Sequence, residues 1–144
     1  MKPIDALLEL MGRGQCAVVR AGLRGEEKAY FAEVLARVAR TFDTMPTTGE
    51  TDGQGEDAVA HLHYFTGAAD FWIVERDAGS PDDEPGTGQI QAFGLADLYG
   101  DGGELGYISI PELLENGAEL DFHFKPKTLR EIRAKQAARC GVTA

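Results

Sequence analysis

His61-Leu62-His63-Tyr64-Phe65-Thr66-Gly67-Ala68-Ala69-Asp70-Phe71-Trp72-Ile73-Val74-Glu75 is the stretch on which the fold turns. Val59 to Phe65 alternates, with Leu62 and Tyr64 to one side and His61 and His63 to the other, which is the two-residue period of a strand. Gly67-Ala68-Ala69 reads as a turn. Asp70 to Glu75, with Phe71-Trp72-Ile73-Val74 inside it, reads as the returning strand, so the two make an antiparallel hairpin.

Toward the C-terminus, Asp77 to Gly88 is a polar, Pro/Gly-rich acidic connector with too little apolar content to hold structure. Gln89 to Leu95 reads as a third strand, Leu98 to Gly103 as a turn, and Leu105 to Ile108 as a short fourth strand. Ser109-Ile110-Pro111-Glu112 has the form of a capping box with Pro in the first turn, and the helix it opens ends at Asn116-Gly117. Glu119 to Phe124 alternates again, Leu120, Phe122 and Phe124 inward and Asp121 and His123 outward. Thr128 to Glu131 is a second capping box, opening a basic helix through about Arg139.

Toward the N-terminus, Thr44 to Asp57 is a loop rich in Thr, Gly and acids. Glu26 to Phe42 is a helix, since Tyr30, Phe31, Val34, Leu35, Val38 and Phe42 recur at helical spacing. Pro3 to Met11 reads as a short helix stopped by Gly12. The pattern of Arg13 to Gly25 fits helix and strand equally. The expected fold is α+β, an antiparallel meander of about four to five strands with the N-terminal helices and the C-terminal helix packed on one face. One domain spans 1–144, with a helical part at 1–42, a core at 43–132 and the basic helix end and tail at 133–144.

At 144 residues and 43% hydrophobic content the chain can bury a core without disulfides or metals. No apolar run is long enough for a membrane span. Asp5 interrupts the apolar stretch a signal peptide would need, Ile4 to Met11 is too short for one, and no small-residue cleavage site follows, so a cytoplasmic location is expected. Cys16 and Cys140 lack a spacing motif and read as free thiols.

The net charge of −10 is unevenly spread. Asp43 to Phe124 holds eighteen Asp/Glu and one cation, Arg76, whereas Lys125 to Ala144 holds six Lys/Arg and one acid, Glu131. An acidic body of this kind repels nucleic acid and anionic membrane, so direct nucleic-acid binding and membrane association are not expected. The partner expected is a basic, nucleic-acid-binding protein or complex, met through Asp82, Asp83, Glu84, Asp97, Asp101 and Glu104. A homodimer is compatible with the basic C-terminal helix meeting the acidic body of a second copy.

Met45 to Ile132, about 60% of the chain, resembles a family of small uncharacterised proteins from bacterial phages, plasmids and integrative elements. The resemblance is carried by Gly55-Glu56-Asp57-Ala58, His61-Leu62-His63-Tyr64-Phe65, Gln91-Ala92-Phe93-Gly94-Leu95, Glu104-Leu105-Gly106-Tyr107-Ile108-Ser109-Ile110, Glu112-Leu113 and Glu119-Leu120-Asp121-Phe122-His123-Phe124-Lys125-Pro126-Lys127-Thr128-Leu129. It transfers no catalytic residue. It implies a setting, the contest between mobile elements and host defence.

The candidate chemistry is sparse. His61, His63, Asp121 and His123 would surround zinc if their strands met, but alternate polar residues also mark the solvent face of a half-buried sheet, and no metal is expected. Asp97-x-x-x-Asp101-Gly102-x-Glu104 and Asp52-Gly53-Gln54-Gly55-Glu56-Asp57 are acidic enough for calcium without its alternating ligand pattern. Ser80, Ser109 and Cys16 have no activating partner in sequence, and Gly12-x-Gly14 lacks the rest of a phosphate loop. The expectation is a non-enzymatic, cofactor-free inhibitor of anti-CRISPR or anti-restriction type that mimics DNA. The alternatives are a conjugation or replication accessory protein and a small metal-dependent hydrolase.

Overall fold

The computed structural model describes residues 7–79 and 91–139. Helix α1, Arg13–Gly22, and helix α2, Lys28–Thr44, precede the sheet. A short 3₁₀ turn, Gly55–Asp57, leads into β1, Val59–Ala60, β2, Leu62–Phe65, and β3, Asp70–Glu75. Then come β4, Ala92–Asp97, β5, Glu104–Ile108, helix α3, Ile110–Glu115, β6, Glu119–Leu120, β7, Lys127–Thr128, and helix α4, Leu129–Arg139. The fold is α+β. Five strands form an antiparallel sheet in the order β5-β4-β3-β2-β6, and β1 pairs with β7 in a separate two-stranded ladder.

The hairpin lies where the alternation places it, with Leu62 opposite Ile73 and Tyr64 opposite Phe71. Both faces of the sheet are covered, which corrects the expectation that all helices share one face. Because side chains alternate along a strand, β3 sends Phe71 and Ile73 to one core and Trp72 and Val74 to the other. The first core takes Val19 of α1, Phe31, Val34, Leu35, Val38 and Phe42 of α2, and Leu113 of α3. The second takes Ala60, Leu95, and Leu129 and Ile132 of the C-terminal helix α4. A strand buried on both faces reads as a continuous apolar run, which is what Phe71 to Val74 is.

Several boundaries differ from the sequence reading, among them the second helix, expected at Glu26 to Phe42 and found at Lys28–Thr44. Val59 to Phe65 is two strands, since Ala60 packs in the second core and Leu62 in the first, so the chain changes face at His61. Glu119 to Phe124 pairs only through Leu120, and residues 122–123 turn toward β7. The third strand starts at Ala92 and runs to Asp97. The first helix, expected through Met11, is helical at Leu7 and Leu8 and gives way to a turn at residues 9–11; its residues 3–6 lie outside the described residues, as does most of the acidic connector.

Arg13 to Gly22 is a helix despite its ambiguous pattern. It is tied down by Gln15, whose Nε2 donates to the Leu120 carbonyl at 2.9 Å while its Oε1 accepts from the Leu120 N–H at 2.7 Å. The β3–β4 pair carries a bulge between Ile73 and Glu75. Gly94 lies opposite, where a Cβ would come within 1.9 Å of the Trp72 carbonyl oxygen, so only glycine fits.

Candidate functional site

The structure sorts the acidic residues into those that build the fold and those that face solvent. Asp97 belongs to the first group, and its place in the expected partner-binding surface is corrected. It is 4% exposed. Its Oδ1 accepts from the N–H groups of Gly100 and Asp101 at 2.7 and 3.2 Å, closing the turn after β4, and its Oδ2 accepts from Gln136 of α4. A short carboxylate binding backbone N–H groups a few residues on is the ordinary use of Asp in a turn. Here it also locks that turn to the C-terminal helix. With three hydrogen bonds accepted from within the chain, the Asp97 carboxylate is committed to holding this turn together.

Glu75 is 3% exposed. Its carboxylate accepts from the N–H of Gly49 and of Thr51, both at 2.8 Å, and from the Thr51 hydroxyl, which pins the loop before β1 to the end of β3. Glu56 and Asp57 meet the basic helix: Arg133 Nε lies 2.9 Å from Glu56 and Arg130 Nη2 lies 3.1 Å from Asp57. Part of the positive C-terminus therefore neutralises part of the acidic body within the chain.

Asp101 and Glu104 are exposed, as the partner-binding reading requires. They flank a turn and an edge strand with unusual apolar exposure. Tyr99 is 85% exposed and Tyr107 65%, and Leu98 and Leu105 join them at the surface. Asp82, Asp83 and Glu84 lie outside the described residues. Sequence reasoning passed over Tyr99 and Tyr107. The available signal was an aromatic residue inside a Gly/Asp turn and another in a five-residue strand.

The histidines do not converge. His63 sits in a small cleft of about 160 Å³ between the hairpin and the middle of α4. Its Nδ1 lies 3.0 Å from Asp121 Oδ2 and its Nε2 lies 2.8 Å from Asp70 Oδ1. The ring stacks on Trp72 with centroids 5.2 Å apart and planes 12° apart, with Phe124 at 5.6 Å. His123 is exposed, and its Nε2 lies 3.1 Å from the Tyr30 hydroxyl. His61 is half-buried, and that burial pushes its pKa below the ordinary 6.5. Among the described residues no three His, Cys, Asp or Glu side chains are placed to hold a metal. The reason is visible at His63, where opposite ring nitrogens point at two different carboxylates, so the three groups share no common point.

The same arrangement bears on acid–base chemistry. An imidazole acting as general base presents one nitrogen to the substrate while the other is oriented by a partner. Both His63 nitrogens are already engaged, and the side chain ties β2, β3 and the segment after β6 together. Cys16 is free, its Sγ donating to the Leu8 carbonyl at 3.0 Å, and burial raises its pKa, away from the thiolate that nucleophilic chemistry uses. Cys140 lies outside the described residues. No helix among the described residues is long and apolar enough to cross a membrane.

Comparison with known proteins gave no match to a family model, to a curated protein or to a solved structure.

Proposed function

We propose that this chain is a non-enzymatic binding protein that occupies a basic, nucleic-acid-binding surface of a host defence complex, as an anti-CRISPR or anti-restriction inhibitor. The observation that carries this reading is the uncompensated charge of the exposed acids. Asp43, Asp52, Glu104, Glu112, Glu115 and Glu119 are exposed and have no ion-pair partner among the described residues. The single cation of that segment, Arg76, stacks over the Phe42 ring, 4.9 Å from its centroid. Tyr99 and Tyr107 add the exposed aromatic surface that anchors protein interfaces, beside Asp101 and Glu104. The resemblance to proteins of mobile elements supplies the setting.

The test is competition. Purified CRISPR effector and restriction complexes are offered labelled DNA with and without the protein, across a salt series. DNA binding should be lost in its presence, and the inhibition should weaken at least tenfold between about 50 and 200 mM salt, as charge-driven association does. The Asp101→Lys, Glu104→Lys double variant should fail to inhibit while melting within a few degrees of the parent, because both side chains are exposed and the bond lost is the exposed one from the Gly103 N–H to Asp101. Undiminished DNA binding by every complex tried, or inhibition indifferent to salt and to the double variant, would refute the proposal.

A further inference from the structure

Strand β5 forms one edge of the five-stranded sheet, and among the described residues nothing pairs with its outer side. Edge strands are ordinarily protected by lysine, proline, a bulge or a covering element, because an open edge recruits other strands. Glu104-Leu105-Gly106-Tyr107-Ile108 contains neither lysine nor proline, and its one charged residue, Glu104, stands at the very start of the strand. Its register with β4 runs unbroken from Ala92 opposite Ile108 to Ala96 opposite Glu104. Leu105 and Tyr107 share the face opposite buried Ile108 and are 42% and 65% exposed. On that face Tyr107 meets Phe93 edge-on at 5.5 Å, and Leu105 lies across from Leu95 of the second core. The apolar surface of the second core thus continues outward to an open edge.

We infer that β5 is the docking edge for an extended, basic segment of a partner protein, which adds to the sheet as a sixth strand. Its backbone completes the open ladder, its apolar side chains lie on Leu105 and Tyr107, and its Lys or Arg residues face Asp101 and Glu104. The inference rests on the acidic-binder reading above and names how the partner attaches. Charge selects the occupant. A second copy brings another net −10 to an edge already flanked by exposed acids, whereas a basic strand is drawn to it.

Two synthetic peptides of about nine residues alternating Lys and Val test this with the full chain. The second is methylated at alternate backbone nitrogens, so its charge is unchanged while its ladder donors are gone. The parent peptide should bind at least tenfold more tightly than the methylated one and protect the amides of residues 104–108 from hydrogen exchange. Leu105→Lys with Tyr107→Lys should abolish that difference without lowering the melting temperature by more than a few degrees. Equal, salt-sensitive binding of both peptides would overturn strand addition while leaving the acidic-binder reading standing. A preference for the parent peptide that ignores salt would do the reverse, keeping the edge and removing the charge-driven reading. No protection at residues 104–108, or a dimer in sedimentation that Tyr107→Lys dissolves, would overturn the choice of occupant.

Discussion

Glu75 carries a carboxylate into the protein at the end of β3, and the loop before β1 is arranged around it. Burial acts to raise its pKa. Hydrogen bonds from the Thr51 hydroxyl and from the Gly49 and Thr51 N–H groups outweigh that and hold it below the ordinary 4.5. Near pH 4.5 the unfolded chain therefore binds this proton before the folded one does, so stability rises with pH there. The contribution is complete above 4.5 and is lost as pH falls through the lower folded value. His61 acts in the same direction at higher pH. Its folded pKa lies below 6.5, so the unfolded state takes up its proton first and stability declines as pH drops below 6.5. Urea melts between about pH 3 and 8 should show both limbs. Glu75→Gln should flatten the lower limb and cost about 1–3 kcal/mol at neutral pH, the scale of disrupting a buried, charged hydrogen-bonded group. His61→Gln should flatten the upper limb. An acid limb of unchanged steepness in Glu75→Gln would show that the carboxylate does not couple to folding.

Among the elements, the C-terminal helix was legible in outline because its start is fixed by local chemistry. Thr128 Oγ1 accepts from the Glu131 N–H at 3.2 Å, and Glu131 Oε1 accepts in return from the Thr128 N–H at 3.2 Å, which is the reciprocal capping box. Thr128→Ala should lower unfolding free energy by about 1 kcal/mol and Thr128→Ser by much less, since serine keeps the acceptor. Equal losses in the two variants, measured by urea melts, would mean that the methyl group rather than the cap matters. What was not legible depends on contacts distant in sequence. The break at His61 comes from Ala60 pairing with Lys127 while Leu62 pairs with Ile73, and nothing in the local alternation announces two partners. Helix α1 buries only Val19 within its own span and is held from Leu120, 105 residues away from Gln15. Asp97 looks like a surface turn residue in sequence, yet it is buried and bonded to Gln136 of α4, a residue 39 positions away. The edge site was half-legible. Asp101 and Glu104 announced themselves by charge, whereas the exposure of Tyr99 and Tyr107 follows from β5 standing at the sheet's end.

At the scale of the whole molecule, one sheet separates two cores. Strand β3 contributes to both, and the first core is covered by α1, α2 and α3 while the second is covered by α4. The cores share β3 as backbone, so breaking either one exposes a face of the same central strand and leaves its polar backbone to be resatisfied. That geometry favours a single cooperative transition, the behaviour expected of a small single domain. Trp72, the only tryptophan in the chain, packs in the second core against α4. Its fluorescence reports that core, whereas far-UV circular dichroism weights the longer helices over the first. The two signals should therefore share one midpoint in urea. Leu35→Ala in the first core and Leu129→Ala in the second should each cost about 2–5 kcal/mol and should move both signals together. If Leu129→Ala shifts the fluorescence transition and leaves the circular-dichroism transition in place, the chain is two stability units sharing a sheet. Asp97, which ties the β4–β5 turn to α4, would then bear on whether the proposed docking edge is held in place, and the same pair of probes on Asp97→Asn would show it.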